Sequence, residues 1–310
     1  MSLPRRDFLN LSGLAMAGVA LGPVALTRAW QQPAGAPAPA PVVPVFSAIR
    51  RNVGFFTGRG GTIGYLIAPT GVVVIDSQFP DSAALCLAGV NERSNKRPID
   101  MLINTHHHGD HTGGNLVFKD ATKRVVAHAT AAAHMKQPPG RPAPTAENYY
   151  PTETFTETWR ATVGDETIRA RYYGVAHSGG DAVITFERAN VAHMGDLMFN
   201  GRHPVVDRPA GASLRNWISV LEKTTTDHAA DTLYIFGHGG TNLPVTGTAA
   251  DLLRFRDYLT ALLDHVRAEM KAGKTKEQIA ANTGLLRGFE GHGPLNAAVQ
   301  TAAYDELATG

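Results

Sequence analysis

Cysteine is almost missing from this chain. Its 310 residues include one, Cys86, so no internal disulfide can form and the fold rests on its core alone or on a bound ion. Cys86 sits in the apolar stretch Ala83-Ala84-Leu85-Cys86-Leu87-Ala88, which predicts a buried, structural thiol on a helix. Strongly apolar runs are missing too. The longest mild run, 9–26, is diluted by Gly13, Gly18, Gly22 and Pro23, and about 18 residues is the lower limit for a spanning helix. That weak hydropathy argues against a membrane anchor. An excess of one charge is the third absence. The net charge is +2, too small to mark a nucleic-acid surface. With 43% hydrophobic and 18% charged residues, the composition is that of a globular protein with chain enough to bury a core.

Pro4-Arg5-Arg6-Asp7-Phe8-Leu9 places a twin arginine ahead of the mild apolar run. Residues 1–29 resemble a twin-arginine export signal, with cleavage expected between Ala29 and Trp30 and Ala36 as a second candidate. Loss of Arg5, Arg6 and Arg28 takes 29 basic residues to 26, and loss of Asp7 takes 27 acidic residues to 26. The mature chain is then formally neutral. The resemblance implies the twin-arginine machinery as a partner, a periplasmic or secreted location and no stable membrane span after cleavage. Residues 30–44 carry Pro33, Pro37, Pro39, Pro41 and Pro44 among alanines and read as an extended linker. The folded domain is expected over 45–310.

Within it, period and turn residues predict strands at 63–67, 72–76, 99–103, 125–127, 167–173, 182–186, 191–194 and 233–236. Helices are expected at 81–92, 130–136, 214–226, 249–270, 274–282 and 296–307, with a short one beginning at 113. Residues 137–160 break the pattern with Pro138, Pro139, Pro142 and Pro144 and read as a long loop. Its aromatics Tyr149, Tyr150 and Trp159 either wall a cleft or pack. Strands followed by helices in both halves suggest an α/β fold of two packed sheets covered by helices, a four-layer αββα sandwich.

Thr105-His106-His107-His108-Gly109-Asp110-His111 directly follows the 99–103 strand. Imidazole and carboxylate together suit zinc and its first-row neighbours. Read as His-x-His-x-Asp-His, the run offers His106, His108, Asp110 and His111; His107 alternates away and is expected to be structural. Further candidates also end strands: His177, Asp196 and His238, each within a few positions of a glycine (Gly179, Gly195, Gly237, Gly239). Seven ligands exceed the four that one zinc takes. They suit two ions, three histidines on one, an aspartate and two histidines on the other, and a carboxylate between. Two such cations would bring a shared water's pKa toward neutrality and supply hydroxide.

This ordered set resembles the signature of the metallo-β-lactamase superfamily, whose αββα fold agrees with the strand pattern. By that resemblance His106, His108 and His177 bind a first metal, Asp110, His111 and His238 a second, and Asp196 bridges them. Asp110 is the implied catalytic residue, orienting a metal-bound hydroxide that attacks a carbonyl. Asp76, ending the 72–75 strand, matches a position that supports the site from behind and should accept hydrogen bonds from the histidine loop. An aspartate at 196 is similar to glyoxalase II, lactonases and other dinuclear hydrolases rather than to the best-known β-lactamases. The sequence after it, 197–204, departs from glyoxalase II. The expected activity is an exported, zinc-dependent hydrolase of a small ester, thioester, lactone or β-lactam, with iron or manganese as alternative metals. An iron-dependent sulfur dioxygenase on the same fold is a second reading. Diiron relatives carry Glu where this chain has His108. A non-catalytic periplasmic zinc carrier is a third reading, against which stands the lack of a His-rich tract. His203 is a candidate pocket residue. His128, His134, His193, His228, His265 and His292 have no ligand spacing.

Overall fold

The computed structural model describes residues 41–145 and 147–309. The expected signal at 1–29 and most of the expected linker lie outside them; 41–44 carry no regular structure. The first sheet has seven strands in chain order: β1 (Val45–Arg50), β2 (Val53–Thr57), β3 (Ile63–Ala68), β4 (Gly71–Ile75), β5 (Met101–Asn104), β6 (Val125–His128) and β7 (Glu153–Phe155). The first four pair antiparallel; β4 through β7 run parallel. Parallel neighbours need crossovers, which are supplied by α1 (Pro80–Ser94), α2 (Gly109–Thr112) with the 3-10 turn that follows, and α3 (Ala129–Lys136).

The second sheet holds β8 (Thr158–Val163), β9 (Glu166–Tyr172), β10 (Ala182–Phe186) and β11 (Val191–His193) as an antiparallel meander. After β12 (Phe199–Asn200), helix α4 (Leu214–Asp227) crosses to β13 (Leu233–Ile235), which lies parallel to β11. Next come β14 (His238–Gly239) and β15 (Thr246–Gly247), then α5 (Ala249–Lys271), α6 (Lys276–Ala280) and α7 (Ala297–Ala308). β12 and β14 form a separate two-stranded sheet that joins the segments after Asp196 and around His238.

Strand alternation builds the layers. Val73, Ile75, Ile103 and Val126 of the first sheet meet Ile168, Ala170, Ile184 and Ile235 of the second in one buried core. The opposite side chains, Val72, Val74, Leu102 and Val125, pack on Ala83, Cys86 and Val90 of α1. On the far face Val183, Ala192 and Tyr234 pack with Trp217 of α4 and Phe255, Tyr258 and Leu259 of α5. The order helix, sheet, sheet, helix is the αββα sandwich expected, and Cys86 is fully buried. The 137–160 stretch departs from expectation. It is not loop throughout, since β7 and the start of β8 lie in it. Their short three- and six-residue spans hide among polar residues, yet they add an edge to each sheet.

Candidate metal centre

The carboxyl ends of parallel strands are where open α/β sheets place ligands, and here they deliver polar side chains. β4 is followed by Asp76, which has positive φ (65°). β5 is followed by Thr105 and the three histidines, with His108 as N-cap of α2 and Asp110 and His111 in its single turn. His177 lies between β9 and β10, Asp196 follows β11, and His238 follows β13. Two glycines are needed for close approach. A Cβ on Gly61 would lie 2.1 Å from the His111 ring, and one on Gly237 would lie 2.2 Å from Asp196 Oδ1. Gly109 is not constrained in this way: among the described residues a Cβ there meets nothing within 4 Å.

All seven predicted positions converge. Ligand atoms of His106, His108, His177 and Asp196 lie within 4.8 Å of one another, as do those of Asp110, His111 and His238. Asp196 faces both groups. Its Oδ2 lies 3.6 Å from His177 Nε2 and 3.9 Å from His106 Nε2, while its Oδ1 lies 2.9 Å from His111 Nε2 and 3.3 Å from His238 Nε2. Asp110 Oδ2 is 3.1 Å from His238 Nε2. Atoms sharing a tetrahedral zinc stand about 3.3 Å apart for bonds of about 2.05 Å, so the spacings suit such an ion.

The hydrogen-bond network assigns the tautomers. Thr105 Oγ1 donates to Asp76 Oδ2 (2.7 Å) and therefore accepts from His106 Nδ1 (3.0 Å). His111 Nδ1 donates to Asp76 Oδ2 (2.7 Å), His177 Nδ1 to Val205 O (2.8 Å), and His108 Nε2 to Asp207 Oδ2 (2.8 Å). Each of these rings thus turns its other nitrogen inward. His108 Nδ1 and His177 Nε2 then oppose lone pairs at 2.8 Å, which is favourable only with a metal cation or a shared proton between them. His106 Nε2 is buried with no hydrogen-bond partner among the described residues, a costly arrangement that a metal relieves. The donor set fits divalent metal. Asp76 also accepts from the Thr105 amide at 2.8 Å, the support from behind expected of it.

Electrostatics divide the two groups. Burial first, then neighbouring imidazoles, pushes His106 well below its usual range, and burial lowers His177. Burial also opposes protonation of His111 and His238. There the carboxylates prevail: Asp196 and Asp76 raise His111 well above its range, and Asp196 with Asp110 raises His238 to about 9. Against its own burial, Asp196 is held well below the usual carboxylate range by His238 and His111. Asp110 is likewise lowered despite burial, chiefly through its hydrogen bond with His238. Side-chain exposure separates the roles: Asp196 is 3% exposed and Asp110 28%.

A family model described as the metallo-beta-lactamase superfamily matches residues 57–238, which span every residue of both groups. The chain belongs to the metallo-beta-lactamase superfamily. It is 23% identical to the metallo-beta-lactamase type 2 of Bacillus cereus over 62% of this chain and 72% of that one. It is 24% identical to the 2,4-dinitroanisole O-demethylase subunit alpha of Nocardioides sp. (strain JS1661), over 43% of this chain but only 39% of that protein. Among solved structures, a metallo-beta-lactamase from Pontibacter korlensis superposes with a TM-score of 0.59 at 17% identity, covering 70% of this chain and 99% of that one. The sec-alkylsulfatase Pisa1 from Pseudomonas sp. superposes with a TM-score of 0.63 at 17% identity, covering 85% of this chain and half of that one. At such identities the structural likeness carries the superfamily fold and not a substrate.

Some residues around this superfamily site were not legible beforehand. Asp207, which meets His108 and has His107 Nε2 3.4 Å away, sits in a proline-flanked loop with no motif spacing. Phe199 stacks on His238 with ring centres 5.3 Å apart and planes 17° apart, and Trp217 lies edge-on to His177. His107 stays outside both main groups, beside His134. His203 is tied elsewhere. Its Nε2 donates to Pro294 O (3.1 Å) and its Nδ1 accepts from the Tyr258 hydroxyl (2.6 Å), so it pins its loop to the C-terminal segment. His193 is fully buried between Thr62 O and the Gly195 amide.

Proposed function

We propose that this chain is an exported, dinuclear zinc-dependent hydrolase of the superfamily, acting on a carbonyl in an ester, thioester, lactone or β-lactam. The observation that carries this reading is Asp196, one carboxylate with an oxygen toward each histidine group. His106, His108 and His177 would hold one ion, Asp110, His111 and His238 the other, with Asp196 between. Bound there, two divalent cations would polarise a substrate carbonyl and lower the pKa of a water. The chain's own part is positional. Asp76, Asp207, Val205 and Thr105 fix the inward nitrogens. Asp110, ionised and partly exposed, accepts a hydrogen bond from the attacking water and carries a proton to the leaving group. An aspartate at 196, where it would lie between the two ions, favours the glyoxalase II-like and lactonase branch over the typical β-lactamases.

The test is a substrate panel on metal-quantified protein: a thioester, a lactone, a carboxylic ester and nitrocefin, joined by a sec-alkyl sulfate and 2,4-dinitroanisole because relatives act on those. Two zinc ions per chain and chelator-sensitive hydrolysis of a carbonyl substrate are expected. Oxygen consumption by iron-loaded protein on a sulfur substrate, without hydrolysis, would transfer the assignment to a sulfur dioxygenase. Metal binding with no turnover on any substrate would make the chain a zinc-binding protein. Export is tested separately: replacing Arg5 and Arg6 by lysine should strand the protein inside the cell.

A further inference from the structure

Residues 203–212, between Asp196 and α4, touch the first histidine group at three points. Val205 O accepts from His177 Nδ1 (2.8 Å), the Asp207 amide donates to His177 O (3.1 Å), and Asp207 Oδ2 accepts from His108 Nε2 (2.8 Å). Asp207 Oδ1 accepts from the Ala210 amide at 3.2 Å, so both carboxylate oxygens are used. The segment and the start of α4 that follows it are in turn fixed from α7. Glu306, 6% exposed, accepts from Ser213 Oγ (2.8 Å), the Leu214 amide (2.6 Å), the Arg215 amide (2.9 Å) and Arg208 (3.3 Å). Arg208 also donates to Ala212 O at 2.7 Å. Helix α7 lies beyond residue 238, where the family match ends. An element outside the shared family region is therefore connected through one loop to two inward-facing imidazoles.

We propose that Asp207, braced by Glu306, is a positioning residue that sets metal affinity at the His106–His108–His177 group. The proposal rests on the metal-dependent reading above. An ionised acceptor at His108 Nε2 keeps the proton there and leaves the Nδ1 lone pair free. Asp207→Asn supplies one oxygen where two are used. Its amide donates toward Nε2 and favours the tautomer that blocks Nδ1.

The experiment is a competition titration of zinc against a chelator of known affinity, read as stoichiometry and affinity. It is repeated in a His238→Ala background, so that the remaining equivalent reports the first group. Wild type should bind two equivalents. Asp207→Asn and Asp207→Ala should weaken the first group roughly 10- to 100-fold and leave the other equivalent within about threefold, a margin far below that loss. Glu306→Gln should weaken the same group by less. Val266→Ala, in the α5 core, controls for lost stability and should leave both affinities unchanged. Unaltered affinity in the Asp207 variants, or an equal loss in Val266→Ala, overturns the proposal. A third equivalent bound by wild type and lost with Asp207 does so too, because His107, His108 and Asp207 would then be ion ligands. If wild type takes up no divalent metal, the functional reading fails first and this proposal with it.

Discussion

Asp76 shows how one residue carries several constraints. It is fully buried, adopts φ of 65°, and accepts from the Thr105 amide, the Thr105 hydroxyl and His111. Asp76→Ala removes every acceptor and puts an alanine where positive φ is disfavoured. It should destabilise chelated protein by about 3 kcal/mol, the scale for breaking a buried charged pair, measured by denaturant unfolding. Asp76→Asn tolerates the backbone better and should lose less. Equal losses would show that neither backbone tolerance nor the retained amide oxygen matters, and that the lost carboxylate charge sets the cost. Asp110 behaves differently. Being partly exposed, Asp110→Ala should unfold near the wild-type midpoint while turnover on an identified substrate falls roughly 10²- to 10⁴-fold. Undiminished turnover would remove Asp110 from the mechanism. The ligand candidates were legible because residue types with shared chemistry crowd into the six positions 106–111 and recur at strand ends. Asp207 was not, because its partner His108 is 99 residues away and nothing local distinguishes it from any other loop aspartate.

At the scale of elements, legibility followed the burial pattern. β4 and β5 are buried on both faces and read as continuous apolar runs, the mark of a parallel, covered strand. β12, β14 and β15 have two residues each; no period exists in two residues, and only pairing with a distant partner makes them strands. The β12–β14 pair nevertheless matters to the site, because it aligns Phe199 beside His238. The loop between β2 and β3 is another element whose value appears only in three dimensions. Gly61 donates its amide to Asp110 O (3.0 Å) and leaves no room for a Cβ beside His111. Gly61→Ala should therefore push the loop off α2 and weaken metal binding at Asp110, His111 and His238, while the His106–His108–His177 group keeps its affinity. A two-site zinc titration reads this directly. Equal weakening of both groups would mean that the loop's effect is on the fold as a whole.

For the whole molecule, one cysteine and no disulfide leave the core and the metal groups as the sources of stability. The two groups should respond oppositely to protons. His106 and His177 are held neutral by burial, so at neutral pH metal meets free lone pairs there. His238 is raised to about 9 and His111 well above its usual value by their carboxylates, so metal must displace protons at the second group. The sign for stability follows. A folded-state value above the unfolded one of about 6.5 stabilises fully below that pH, and the contribution is lost as pH rises through about 9. Asp196, lowered well below its ordinary value, adds stability at neutral pH that is lost only on acidification. Chelated protein should thus lose stability between pH 6.5 and 9, and His238→Ala should flatten that slope. Zinc-loaded protein should not follow it, since the ion replaces those protons and its own binding tightens over the same window. Calorimetric zinc titration at pH 7 in buffers of different ionisation enthalpy should register proton release, reduced in His238→Ala. Zinc uptake without proton release would show that His111 and His238 are already neutral at that pH, and the charge balance assigned to the second group would have to be abandoned.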